Sequence, residues 1–157
     1  MCVKAVTLRP AESRDGDFLL ALRNDPAVRR WFYNSTPISA SRHRAWFRER
    51  MSSSDCRLYI QECDGEAIGY VRFEPLVGDD WQVSVAISPD YQGCGYGRLA
   101  LREALSRCFT ELPCDCIVAE VLIGNRSALA LFQAVGFRQV GPIQREGNAA
   151  VLLEYRQ

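Results

Sequence analysis

The chain of 157 residues is 48% hydrophobic and 24% charged, which fits one ordinary globular domain spanning 1–157 and excludes a disordered protein. Its 19 basic residues balance 19 acidic ones, so no broad basic field points to nucleic acid or an anionic membrane. No apolar run approaches the roughly 20 residues of a membrane helix, and residues 1–10 lack a signal-peptide core, so a cytoplasmic protein is expected.

In chain order, residues 3–8 read as a strand closed by Pro10. Residues 12–22 read as a helix with Phe18, Leu19 and Leu22 on one side, broken by Asn24-Asp25-Pro26. Residues 27–33 form a short helical turn, and 39–51 a helix started by Ser39 or Ser41. The period then changes to alternation. Residues 56–63 and 67–73 read as strands joined by the hairpin signal Asp64-Gly65. After the turn Gly78-Asp79-Asp80, residues 81–88 form a strand with Trp81, Val83, Val85 and Ile87 on one face. A glycine-rich loop leads into a helix ending near Phe109, striped by Leu101, Leu105 and Cys108. Residues 117–123 make a buried strand. Asn125 caps a helix striped by Ala128, Leu131, Phe132 and Val135, and Gly136 ends it. Residues 137–144 and 149–155 close the chain as a hairpin. Helices and strands mixed around one sheet give an α/β or α+β domain.

The seven cysteines are odd in number and irregularly spaced, which suits reduced thiols. Cys114-x-Cys116 is too tight for the usual zinc pair and His43 is the single histidine, so no metal site is expected.

The chemistry concentrates where strand 81–88 runs through Gln92-Gly-Cys-Gly-Tyr-Gly97 into a helix. Glycines let the backbone approach a ligand, and a helix start offers unpaired N–H groups and a positive dipole end, as a pyrophosphate needs. A simple tight turn is the plainer alternative. The dinucleotide fingerprint fails, because its third glycine falls on Arg98, and no Gly-Lys-Ser/Thr exists for a P-loop.

This segment resembles the Gln/Arg-x-x-Gly-x-Gly/Ala signature of the GNAT acetyltransferases. Asn125-Arg-Ser-Ala-Leu-Ala-Leu-Phe-Gln-Ala-Val-Gly-Phe137 resembles the family's Asn-x-x-Ala-x-x-Leu-Tyr-x-x-x-Gly-Phe block, and Leu8-Arg-Pro10 and Arg23-Asn-Asp-Pro26 stand in the family's order. The resemblance implies a GNAT-like, largely antiparallel central sheet of six or seven strands flanked by about four helices. It implies direct acetyl transfer from acetyl-CoA to a primary amine. Gln92, Gly93, Cys94, Gly95, Tyr96, Gly97 and Arg98 would hold the pyrophosphate, with Val85 and Ile87 along the pantetheine arm and Asn125, Ala128 and Phe132 near its sulfur. The plain alternative for Asn125 is a helix cap.

Two positions depart from the family pattern. Gln82 stands where many relatives carry a basic carboxylate, and Phe132 where many carry a tyrosine acid. An amide takes no proton but orients a water. Glu120 is the first replacement base, ahead of Asp79, Asp80 and His43; an amine arriving already neutral would need none.

The stretch holding Arg23, Asn24, Tyr33, His43 and Trp46 is expected to bind the acceptor. It is similar to the acetyltransferases of amino-sugar nucleotides in pseudaminic-acid-type biosynthesis, whose arginines would pair with a diphosphate. It also resembles GNATs that acetylate protein N-termini. A non-catalytic acyl-CoA-binding module is the third reading, favoured by Gln82 and Phe132. A monomer or a homodimer fits the edges of such a sheet.

Overall fold

The computed structural model describes residues 4–157. The chain runs β1 (Val6–Pro10), a 3-10 turn (Ser13–Asp15), α1 (Gly16–Asn24), α2 (Pro26–Arg29), α3 (Ala40–Ser52), β2 (Arg57–Cys63), β3 (Glu66–Pro75), β4 (Asp80–Ile87), a second 3-10 turn (Pro89–Tyr91), α4 (Tyr96–Glu111), β5 (Cys116–Leu122), α5 (Arg126–Val135), β6 (Arg138–Arg145) and β7 (Asn148–Arg156). The seven strands form one sheet in the order β1-β2-β3-β4-β5-β7-β6. Every neighbouring pair is antiparallel except β4 with β5.

Local chemistry sets the boundaries. Ser39 accepts from the Arg42 amide and Asn125 from the Ala128 amide, so α3 and α5 start where their caps stand. Asp25 caps α2 and Pro26 opens it, which fixes where that helix begins. The helix expected over 12–22 starts later: its first turn is 3-10, where the buried Asp15 accepts two 2.8 Å bonds from Arg9 and one of 2.7 Å from the Glu12 amide. The first strand ends on Pro10, and its expected start at Val3 lies outside the described residues. Asp64-Gly65 and Glu146-Gly147 turn their hairpins with positive φ at both positions.

The alternation in β4 sorts side chains between two cores. Trp81 and Val83 join Val71, Phe73, Leu101, Leu105, Ile117 and Leu153 beneath α4 and α5. On the opposite face, Ile60, Tyr70 and Ala86 pack with Leu19, Leu22, Val28 and Phe47 of α1–α3. A Cβ on Gly69 would meet Ala86 O and Ile87 Cδ1 at 2.6 Å each, so only glycine lets β3 lie this close to the end of β4.

The decisive feature is a fork. β4 pairs with β5 only over Asp80–Gln82 against Cys116–Val118. Beyond Gln82, β4 keeps β3 alone, while β5 continues along β7 to Leu122. Among the described residues no helix is long and apolar enough to cross a membrane, and no cluster of ligating side chains could hold a metal.

Candidate active site

The fork leaves peptide groups without strand partners. Ser88 N donates to Ile68 O, and Asp80 O accepts from Leu76 N, so the even-numbered residues of β4 face β3. By strand alternation Val83, Val85 and Ile87 turn their N–H and C=O groups into the fork. Gln92 Nε2 donates to Ile87 O at 2.8 Å and folds the following loop onto the strand end.

That loop delivers a helix start of unusual character. Gly93 (φ 74°) and Gly95 (φ 86°) are left-handed, and Gly95 is the N-cap of α4. No side chain caps α4, and its first turn carries no acidic residue, whereas Ser39 and Asn125 cap α3 and α5. Arg98 stands exposed in this first turn, where a cation opposes the helix dipole until an anion binds. Cys94 is exposed beside it, with Sγ 3.5 Å from Gln92 O. Uncapped amides, a left-handed glycine loop and a free strand edge fit a pyrophosphate with an amide-bearing arm.

Asn125 is occupied as a helix cap, its Oδ1 accepting from Ala128 N at 3.2 Å. Phe132 is 5% exposed and packs edge-on against Phe137, ring centroids 5.0 Å apart, within the core rather than open to the fork.

On the face away from α4, a cleft of about 460 Å³ opens at the fork, lined by Tyr33, Gln82, Val118, Glu120, Arg145 and Glu146. Both oxygens of Glu120 are engaged: Tyr33 Oη donates to Oε2 at 2.6 Å and Arg145 Nε to Oε1 at 3.1 Å. Burial, then Glu120, pushes the Tyr33 phenol well above its ordinary range, so Tyr33 stays a neutral donor. Among the described residues Gln82 has no side-chain hydrogen bond. Its amide therefore remains available to the cleft.

A second cavity of about 190 Å³ lies beyond Phe32, whose neighbour Tyr33 faces the first. Its walls include Phe32, Trp46, Tyr70, Arg23, Arg72 and His43. Arg23 Nη2 donates to Asn34 O at 2.7 Å, but its Nη1 is buried with no partner among the described residues. Arg72 lies over the Trp46 and Tyr70 rings, and among the described residues its one ion-pair partner is Glu74, 3.6 Å from Nε and shared with Arg50. Burial, then repulsion from Arg29 and Arg72, lowers the proton affinity of Arg23. His43 is 4% exposed, and burial followed by Arg23 holds it below its ordinary pKa. The cavity thus gathers positive charge among aromatic rings.

The five expected acceptor residues therefore divide. Tyr33 lines the cleft, and Arg23, His43 and Trp46 line the second cavity. Asn24 exchanges two 2.8 Å bonds with the Ile38 backbone and clamps the loop between α2 and α3. Sequence reasoning missed Arg72, Arg145 and Glu146. They sit on a strand and a hairpin turn, with no local pattern to show which groups the fold brings beside them.

The chain matches the family model of the acetyltransferase (GNAT) domain over residues 5–138. It is 26% identical to spermidine N(1)-acetyltransferase of Escherichia coli K12 over 144 residues, 90% of this chain and 77% of that protein. With an L-amino acid N-acyltransferase of the same organism it shares 30% identity over 119 residues, 67% of this chain and 63% of that one. Among solved structures, spermidine N-acetyltransferase from Vibrio cholerae with CoA and spermine superposes with a TM-score of 0.86 at 22% identity, covering 97% of this chain and 95% of that one. At this identity the superposition speaks for the fold.

Proposed function

The chain belongs to the GNAT acetyltransferase family and is an acetyl-CoA-dependent N-acetyltransferase, and on that premise we propose that it acetylates the primary amine of a small molecule bound across the fork. Acetyl-CoA supplies the activated acetyl thioester. The uncapped start of α4 and loop 92–98 would hold the pyrophosphate, and the free edge at Val83, Val85 and Ile87 would receive the arm. Amides at Val85 and Ile87 are the donors for charge developing on the carbonyl oxygen. Gln82 orients the amine or a water, and Glu120, positioned by Tyr33 and Arg145, attracts the incoming ammonium. The ammonium loses a proton to solvent through the open cleft, and the neutral amine attacks the thioester carbonyl; the C–N bond forms as the C–S bond breaks, and coenzyme A leaves as a thiolate that takes a proton from solvent.

The acceptor that fits best carries its amine in the cleft and an anionic, flat group in the second cavity, as an amino-sugar nucleotide does. The observation that carries this reading is the buried, unpartnered Nη1 of Arg23 among aromatic walls; such a group is stabilised by an oxyanion. The similar proteins lend it no support, since those compared act by name on spermidine or on amino acids. A polyamine is the second reading, favoured by those relatives and by Glu120 and Glu146 in the cleft.

Thiol release from acetyl-CoA, measured with a nucleoside-diphosphate-linked amino sugar, spermidine, an amino acid and a peptide N-terminus, decides among them. Preference for the nucleotide, with Arg23→Leu raising KM for it alone, is the expected result. Preference for spermidine, unaffected by Arg23→Leu, overturns the anionic-acceptor reading. No thiol release with any amine would leave a binding module.

A further inference from the structure

The buried polar group that the foregoing leaves without a task is Gln61. It lies on β2, on the far side of β3 from the fork, and is 1% exposed. Its Nε2 donates at 2.8 Å to the carbonyl of Tyr96, the first residue of α4. Its Oε1 is buried with no partner among the described residues. The opposite amide orientation would set Oε1 against the Tyr96 carbonyl, two acceptors facing each other, so the donor must point at the helix. An apolar side chain of this size would spare the orphaned oxygen. A glutamine here therefore serves the one bond it makes.

The neighbouring residues reinforce this. Cys63, two positions on and also buried, has its Sγ 3.6 Å from Tyr96 Oη. Tyr91 packs edge-on against the Tyr96 ring, centroids 5.8 Å apart. The register of β2 against β3 shifts between Gln61 and Glu62, and such irregularities re-aim side chains. Tyr96 is thus held at its carbonyl by Gln61, at its phenol by Cys63 and across its ring by Tyr91. Neither Gly95 nor any side-chain cap does that work.

We infer that Gln61 is a positioning residue for anion binding: from β2 it fixes the first turn of α4, so that the uncapped amides converge on the pyrophosphate. The inference rests on the reading of loop 92–98 as the pyrophosphate cradle. Gln61 touches no substrate; it acts through the Tyr96 peptide.

The test compares acetyl-CoA with S-acetylpantetheine, which lacks the pyrophosphate and nucleotide, in the wild type and in Gln61→Leu. Losing the tie should raise KM for acetyl-CoA about tenfold while kcat/KM for S-acetylpantetheine stays within about twofold. Leucine removes the orphaned acceptor with the donor, so the fold should survive; Gln61→Met, unbranched and also without a donor, gives the same comparison if leucine packs badly. A wild type with equal KM for both thioesters refutes the cradle itself. A wild type that discriminates, beside a variant that discriminates as strongly, refutes the role of Gln61 and leaves the cradle standing. Equal losses on both thioesters in both variants mark Gln61 as a general packing residue and overturn the inference.

Discussion

Tyr33 and Glu120, 87 residues apart in sequence, meet in a 2.6 Å hydrogen bond in which the phenol donates to Oε2. The bond ties the loop after α2 to β5 just beyond the fork, and Asn148 Nδ2 approaches the Tyr33 carbonyl at 3.5 Å from the second hairpin. One wall of the cleft therefore depends on a loop that reaches across to the sheet.

Tyr33→Phe should loosen that wall. A hydrogen bond to a charged group is worth about 1.5–3 kcal/mol at most, and part will be recovered by water entering the cleft. Acceptor KM should rise about tenfold, with KM for acetyl-CoA unchanged. Steady-state kinetics in both substrates check this; equal changes in both would show that the loop supports the whole fork.

Glu120→Gln separates attraction from proton transfer. Removing a general base costs about 10²–10⁴ in rate and abolishes the acidic limb of the pH profile. With both oxygens already engaged, the expected effect is a higher acceptor KM, a fall in kcat below about tenfold and a retained limb. A loss of the larger size together with the limb would return Glu120 to the role of base.

Gly95→Val should abolish coenzyme binding, seen by calorimetry with acetyl-CoA. A Cβ there has open space, so a clash is not the cause. The cause is φ 86°, which costs an L-residue roughly 1–2 kcal/mol and a β-branched one more. Gly95→Ala should weaken binding less. Unchanged affinity in Gly95→Val would remove this loop from the coenzyme site.

His43 makes stability depend on pH in one direction. Burial and Arg23 hold its folded pKa below the ordinary value, so the unfolded chain binds the proton more tightly. The stabilisation is full above about pH 6.5 and is lost as pH falls through the folded pKa. Between about pH 7.5 and 5.5 the wild-type Tm should fall further than that of His43→Gln. Parallel falls would exclude His43 as the cause.

Most elements were legible because their signals are local. Asp64-Gly65 turns a hairpin through its own φ angles, and Asn125 caps α5 with its own side chain. The start of α1 was not, because Asp15 is drawn to Arg9 on β1 and holds the preceding turn in a 3-10 form. The short helical turn expected over 27–33 is α2 (Pro26–Arg29), begun by Asp25 and Pro26. Glu120 could be named from its strand, but not the two donors that occupy it, for Tyr33 and Arg145 come from a loop and a distant hairpin.

By itself, the sequence determined the strand and helix order and the glycine loop that runs into a helix start, because backbone preference and alternation act within a few residues. Only the tertiary structure decided that Gln61 holds Tyr96, that Tyr33 and Arg145 close on Glu120, and that Arg23 Nη1 lies buried without a partner among the described residues. Those facts depend on which distant groups share a space from which water is excluded, and no local pattern encodes that.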